Sequence, residues 1–234
     1  MKLRLSTVIA IAGCALTFGA ALGPARASSI NIQPVSICLD DGTSCGSLAY
    51  DAVALQNFWQ NQAGLTLNIL PSRTFDSTTF QTMNSQTELD TLLFTNVDPN
   101  ASTNFTSSPI TIWFSSGFTP GLGFQSGNRS WVNSDQSTDF MTLIFAHQLG
   151  HNLGLVHVDA FADPLNLMNP VLGPGGLDDY HLTAQQVSTI LGSNLVSADE
   201  PVAVPGPVAG AGLPGLILAC GGMLGWWRRR KAAA

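Results

Sequence analysis

From Ser47 to Gln62 the apolar residues Leu48, Val53, Leu55, Phe58 and Trp59 recur at spacings near 3.6, and Gly64 follows, which predicts a helix with a glycine stop. Leu65 to Leu70 alternates apolar and polar before Pro71, as a half-buried strand does. Thr87 to Phe94 reads as a short second helix. Pro109 to Phe118, rich in β-branched and aromatic residues, reads as a strand, and Arg129 to Asn133 as another after a Gly-rich loop. Ser137 to Gly154 carries Phe140, Met141, Leu143, Ile144, His147, His151 and Leu153 in a helical stripe that ends in glycine. Thr183 opens Thr-Ala-Gln-Gln, a capping-box pattern that starts a last helix running to about Leu191. This order of elements predicts an α+β domain with a mostly one-sided sheet.

The two ends of the chain follow other rules. Residues 1–27 have a basic start, an apolar run from Val8 to Leu22 and then Ala25-Arg26-Ala27, the pattern of an export signal peptide. Val202 to Trp227 carries no charge and is long enough to cross a bilayer, and Arg228-Arg229-Arg230-Lys231 follows at once. Frequent Pro and Gly confine the expected helix to about Leu213–Trp227. The expected division is therefore a signal at 1–27, one domain at 28–198 and a sorting or anchor segment at 199–234.

Charge sharpens this division. The formal net charge is −6, but seven of the nine bases lie in the two end segments. Residues 28–200 keep only Arg73 and Arg129 against all fifteen acids, and a body this anionic is repelled by phosphate backbones. A nucleic-acid partner is excluded on that ground. Of the four cysteines, Cys14 and Cys220 belong to the ends. Cys38 and Cys45 flank a turn-rich stretch and, in an exported chain, read as a local disulfide; a two-thiol metal site is the other reading.

Three of the four histidines fall within eleven residues, His147-Gln148-Leu149-Gly150-His151-Asn152-Leu153-Gly154-Leu155-Val156-His157. A separation of four puts His147 and His151 on one helical face, where both imidazoles reach one metal ion. Gly154 can take positive φ, reversing the chain so that His157 returns to the same ion. Three neutral nitrogens with an open fourth position make a catalytic type of zinc site, so Zn2+ is the expected cofactor.

This stretch resembles the signature of the metzincin metallopeptidases, H-E-x-x-H-x-x-G-x-x-H followed by a Met-turn, and His151-Asn152-Leu153-Gly154 is similar to the reprolysin branch. Asn166-Leu167-Met168-Asn169-Pro170 resembles the Met-turn that passes beneath the zinc. The resemblance implies a zincin fold with a mixed sheet, an active-site helix carrying the first two histidines and a last helix after the Met-turn. It implies further that Pro109–Phe118 and the segment before Asn133 border a cleft in which a peptide lies as an added strand. The pattern departs at one position: Gln148 stands where the family has the Glu that takes a proton from the attacking water. An amide keeps the shape and can hold water by a hydrogen bond, but it has no titratable oxygen. Asp159, two residues after His157, reads as a support for a ligand or as a turn-former rather than as a replacement base; Asp139, Asp163, Asp178 and Asp179 are no better placed, and Tyr180 and His181, past the Met-turn, read as surface or helix-entry residues.

The C-terminal tail resembles a PEP-CTERM sorting signal, with Val204-Pro205-Gly206-Pro207 in place of Val-Pro-Glu-Pro. That resemblance implies a sorting peptidase and a membrane as partners of the tail. It also implies display at the surface or in the matrix of a Gram-negative cell after at least transient anchoring in the inner membrane. A plain C-terminal anchor is the other reading. Three readings follow for the body: an exported zinc metalloendopeptidase acting on peptides with impaired turnover, an inactive zinc-bearing relative that binds peptide as a surface or matrix component, or a structural surface protein whose histidines are incidental.

Overall fold

The computed structural model describes residues 28–198, apart from Phe124 and Pro174. The expected signal and sorting segments lie outside the described residues, among which no helix is long and apolar enough to cross a membrane. In chain order the strands are β1 (Ser28–Cys38), β2 (Leu65–Ile69), β3 (Arg73–Asp76), β4 (Thr82–Met83), β5 (Ile110–Gly117), β6 (Gly121–Gly123), β7 (Arg129–Asn133) and β8 (Ser197–Ala198). The helices are α1 (Ala52–Ala63), α2 (Thr78–Gln81), α3 (Gln86–Phe94), α4 (Thr138–Asn152) and α5 (Ala184–Leu191), with a 3-10 turn at Leu177–Asp179. The main strand order is β2-β1-β5-β7-β6, with β3 and β8 also on β1 and β4 also on β5. The sheet is mixed: β6 runs antiparallel to β7 and β8 to β1, while the other pairings are parallel.

The sequence pattern does not reveal β1, because Pro34 interrupts it and proline cannot donate to a ladder. The register shows how it is accommodated. Ser28–Ile32 pairs with β2 and Val35–Cys38 with β3 along one edge, so Pro34 falls opposite the break between those two strands. The Ile32 carbonyl accepts the Leu70 N–H on that edge (2.8 Å), and alternation along the strand turns Pro34 the same way, where no partner strand needs its missing donor. On the other edge Ile32–Ser36 pairs without interruption with Ile110–Phe114 of β5.

The expectation of a mostly one-sided sheet is corrected. Ile30, Ile32, Ile110, Ile112, Phe114 and Val132 face α1 and α4 in one core, while Val35, Ile37, Trp113 and Trp131 face Phe80, Leu89, Leu92 and Leu93 of α2 and α3 in a second. Parallel strands covered on both sides read as nearly continuous apolar runs, and this is the pattern of β5 and β7. The first helix is also shorter than its pattern suggests. Asp51 caps it by accepting the Val53 and Ala54 N–H groups (both 2.9 Å), so Leu48 precedes it, and Val53 is exposed. Cys38 and Cys45 are joined in a disulfide that closes the loop after β1.

Both cations of the body are used inside it. Arg129, on β7, is buried and donates to the Leu93, Thr95 and Ser102 carbonyls and to Asn96 Oδ1, with its guanidinium 4.1 Å from the centre of the Phe105 ring. It thereby orders the long segment between α3 and β5. Arg73 pairs with buried Asp98 at 2.5 Å, and Asp98 also accepts the Trp113 indole N–H (3.2 Å).

Candidate metal centre

Every residue of α4 from Met141 to Gly150 is buried. A helix covered all round cannot show the one-sided stripe its sequence suggested, because the sheet, α1 and the chain following α4 enclose it. Its N-terminus is capped by Ser137, and Thr142 Oγ1 accepts the Asp51 N–H (2.8 Å), tying the helix to the start of α1.

The helix ends in a Schellman turn that builds half of the site. Gly154 has φ of 97°, its N–H reaches the His151 carbonyl (2.9 Å), and the Leu155 N–H reaches the Gly150 carbonyl (2.9 Å). That reversal places the Leu155 carbonyl 2.9 Å from His151 Nδ1 and sends the chain back toward the helix with His157. Asn152, fully buried, pins the same end to the sheet: its amide donates to the Gly127 and Arg129 carbonyls (2.7 and 2.9 Å) and its Oδ1 accepts from Ser130 Oγ (2.6 Å).

The segment containing Met168 builds the other half. The Leu167 carbonyl lies 2.6 Å from His147 Nδ1, and the Met168 carbonyl accepts the Val158 N–H (3.0 Å), holding the strand of chain beside His157. Met168 is buried beneath α4 so closely that a Cβ at Gly150 would lie 2.5 Å from its sulfur. Gly150 thus lets Met168 pack directly against the helix, a role its place inside a helix had hidden.

These supports aim the three imidazoles at one point. His157 Nε2 lies 3.1 Å from Nε2 of both His147 and His151. With Nδ1 of His147 and His151 placed to donate to carbonyls, their Nε2 atoms carry lone pairs, and His157 can donate a proton to only one of them. At least one pair of lone pairs therefore faces another, which a shared cation relieves. The electrostatics agree. Burial, followed by the neighbouring His151, drives the His147 pKa down to about 3, and burial also lowers those of His151 and His157. All three are held in the neutral form that ligates metal. Three imidazoles with no carboxylate or thiolate among them form a nitrogen donor set that fits zinc.

The centre opens into a cleft of about 450 Å³ lined by Thr119–Gly123, Phe140, Ile144, Gln148, the three histidines and Pro170–Leu172. The strand at its edge is β6. The expectation that β5 and the segment before Asn133 border the cleft is thus corrected, because both are interior strands. The glycines of β6 bring its backbone against Gln148: a Cβ at Gly121 would sit 3.0 Å from the amide nitrogen, and one at Gly123 would sit 2.7 Å from Oε1. Gln148 is buried there, and its Oε1 has no hydrogen-bond partner.

Among the described residues no acid lines the cleft. Asp163 is bound to His181 (2.9 Å), Asp159 accepts the Phe161 N–H (2.8 Å), and Asp179 accepts the Gly176 N–H (3.2 Å). Asp139 lies in the first turn of α4 and Asp178 in the 3-10 turn. Tyr180 is buried rather than at the surface, its hydroxyl engaged with the backbone of Gly173.

No family model and no curated protein matches this chain. Among solved structures it is similar to a chain of one described as a chaperone–substrate complex (17% identity, TM-score 0.46, covering 72% of this chain and 34% of that one). It is also similar to metalloproteinase-II from Bacteroides fragilis (16% identity, TM-score 0.41, covering 70% and 53%). The chain thus spans about a third and about half of the lengths of these proteins.

Proposed function

We propose that residues 28–198 form an exported zinc-binding domain of metzincin type, which takes extended peptide in its cleft and cuts it poorly or not at all. The observation that carries this is the convergence of the Nε2 atoms of His147, His151 and His157 in an open cleft. Zinc held there supplies Lewis acidity toward a carbonyl oxygen or a water. The chain's own residues supply the rest. The Leu167 and Leu155 carbonyls fix two ligand rings, Met168 floors the site, and β6 ends the strand order, offering a backbone edge on which a peptide can pair. Among the described residues no charged side chain lines the cleft, so the peptide side chains that enter are uncharged.

Gln148 decides between turnover and retention. It can orient a water or a peptide group through its amide, but it cannot accept and return a proton, and no acid among the described residues lines the cleft to replace it. Retention of peptide without cleavage, in a domain sent to the cell surface or matrix through its tail, is the reading this favours. The test is zinc content of the purified chain, then peptide hydrolysis beside Gln148→Glu. Stoichiometric zinc, with a hydrolysis rate that rises about 10²–10⁴-fold in the Glu form, is expected. Equal chelator-sensitive rates in the two forms would show that another group moves the proton.

A further inference from the structure

The carbonyl that orients His147 is itself held by a chain of contacts reaching the last helix. Asn166, fully buried and adjacent to Leu167, exchanges two hydrogen bonds with Gln186 on α5: its Nδ2 donates to Gln186 Oε1 (3.0 Å), and Gln186 Nε2 donates to Asn166 Oδ1 (2.9 Å). The same Asn166 oxygen accepts the Met168 N–H (2.9 Å). On the backbone side, the Leu167 N–H reaches the His181 carbonyl (2.9 Å) and the His181 N–H reaches the Leu165 carbonyl (3.0 Å). The turn carrying Leu167 and Met168 is therefore clamped by its neighbour's side chain and by the chain entering α5.

Gln186 has a second duty, which explains why it stands where it does. It completes the capping box of α5, its Oε1 accepting the Thr183 N–H (2.8 Å) while its own N–H reaches Thr183 Oγ1 (3.2 Å). A glutamate serves a capping box equally well, since the box uses only the acceptor oxygen. The bond from Nε2 to Asn166 is different, because only an amide can donate it. A glutamine here satisfies both demands at once.

We propose that Gln186 is a positioning residue for the metal centre, acting through Asn166 to hold the Leu167 carbonyl against the His147 ring. The proposal rests on the reading of the three histidines as zinc ligands. Partners of this outer kind change metal affinity by about 10–100-fold when removed, because they set the ring's orientation and tautomer.

The experiment measures zinc affinity by chelator competition in the full chain and in Gln186→Ala, Gln186→Glu and Thr183→Ala. It also follows the imidazole nitrogen shifts of the zinc-free proteins. Thr183→Ala removes the capping hydroxyl and leaves the amide pair, so it lowers Tm and leaves zinc affinity within about twofold of the unaltered chain. Gln186→Ala weakens zinc about 10–100-fold and blurs the His147 tautomer. Gln186→Glu, which keeps the cap and so keeps the helix, shows a smaller loss of the same kind. Zinc affinity and imidazole shifts unchanged in both Gln186 variants, with Tm lowered as in Thr183→Ala, would reduce Gln186 to a helix cap and overturn the proposal. If the unaltered chain takes up no zinc, the reading of the histidines fails first and the proposal with it.

Discussion

Two polar clusters among the described residues, that of Arg129 and that of the three histidines, are finished differently. Arg129 is surrounded by acceptors from its own chain: three carbonyls and an amide oxygen converge on it, and an aromatic ring covers its face. The three histidines are also anchored by carbonyls, but only on one side of two rings, and their Nε2 atoms are left pointing at each other. A polar group enclosed by the protein's own partners stabilises a fold. A set of donors fixed from behind and unfinished in front is built for something added later.

The difference can be broken from either side. Arg129→Ala leaves buried carbonyls without a donor and frees the segment from Asn96 to Phe105, and it is expected to cost about 3 kcal/mol or more in urea unfolding, with or without zinc. Gly150→Ala pushes a methyl group against the Met168 side chain, an overpacking cost of about 1–3 kcal/mol that about 1 kcal/mol of helix propensity partly offsets, and it weakens zinc by shifting the floor of the site. His151→Ala should leave the stability of the zinc-free chain within about 1 kcal/mol, yet abolish the rise in Tm that added zinc produces. A rise that survives would mean that His151 is not a ligand.

Acid sharpens the contrast further. The pKa values of all three histidines are lowered on folding, so the unfolded chain takes up protons first as pH drops below about 6.5. Their contribution to stability is complete above that pH and is lost progressively toward about pH 3, where His147 itself titrates. Protons and zinc compete for the same nitrogens, so the zinc-dependent part of Tm should vanish within that window as well. Melting curves from pH 8 to below pH 3, with and without chelator, check both effects. A zinc increment that persists below pH 3, where His147 is protonated, would place the metal elsewhere.

Much of the centre is legible in the chain because it is local. His147 and His151 are four apart on a helix, and the reversal that returns His157 needs one glycine within the same turn. Elements whose identity depends on distant partners are harder to read. β1 is hidden by Pro34, which is harmless only because two separate strands meet opposite it. β6, three residues with a glycine at each end, has too little side-chain pattern to read as a strand, yet it forms the edge of the cleft. Gly150 and Gln186 look like ordinary helix positions until the Met168 turn is packed against them. The burial of the sheet on both faces was obscured for a related reason: α2 and α3, which cover the second face, are short and weakly patterned.

The turn at Gly154 also sets a rule for length. The bonds from Gly154 to His151 and from Leu155 to Gly150 close a loop of fixed size, and the same Leu155 then braces His151. An inserted or deleted residue between His151 and His157 would move the brace, the reversal and the third ring together. Beyond His157 the chain is exposed but still pinned: Asp159 to Leu165 lies largely at the surface, with Phe161 almost wholly in solvent, while the Asn169 amide donates to the Ala160 and Asp163 carbonyls (3.1 and 3.2 Å) and the His181 N–H reaches the Leu165 carbonyl (3.0 Å). Changes in chain length are therefore expected at the exposed tip, Phe161–Ala162, between the two carbonyls that Asn169 holds, where an added residue can loop into solvent while the three-histidine cluster keeps its dimensions.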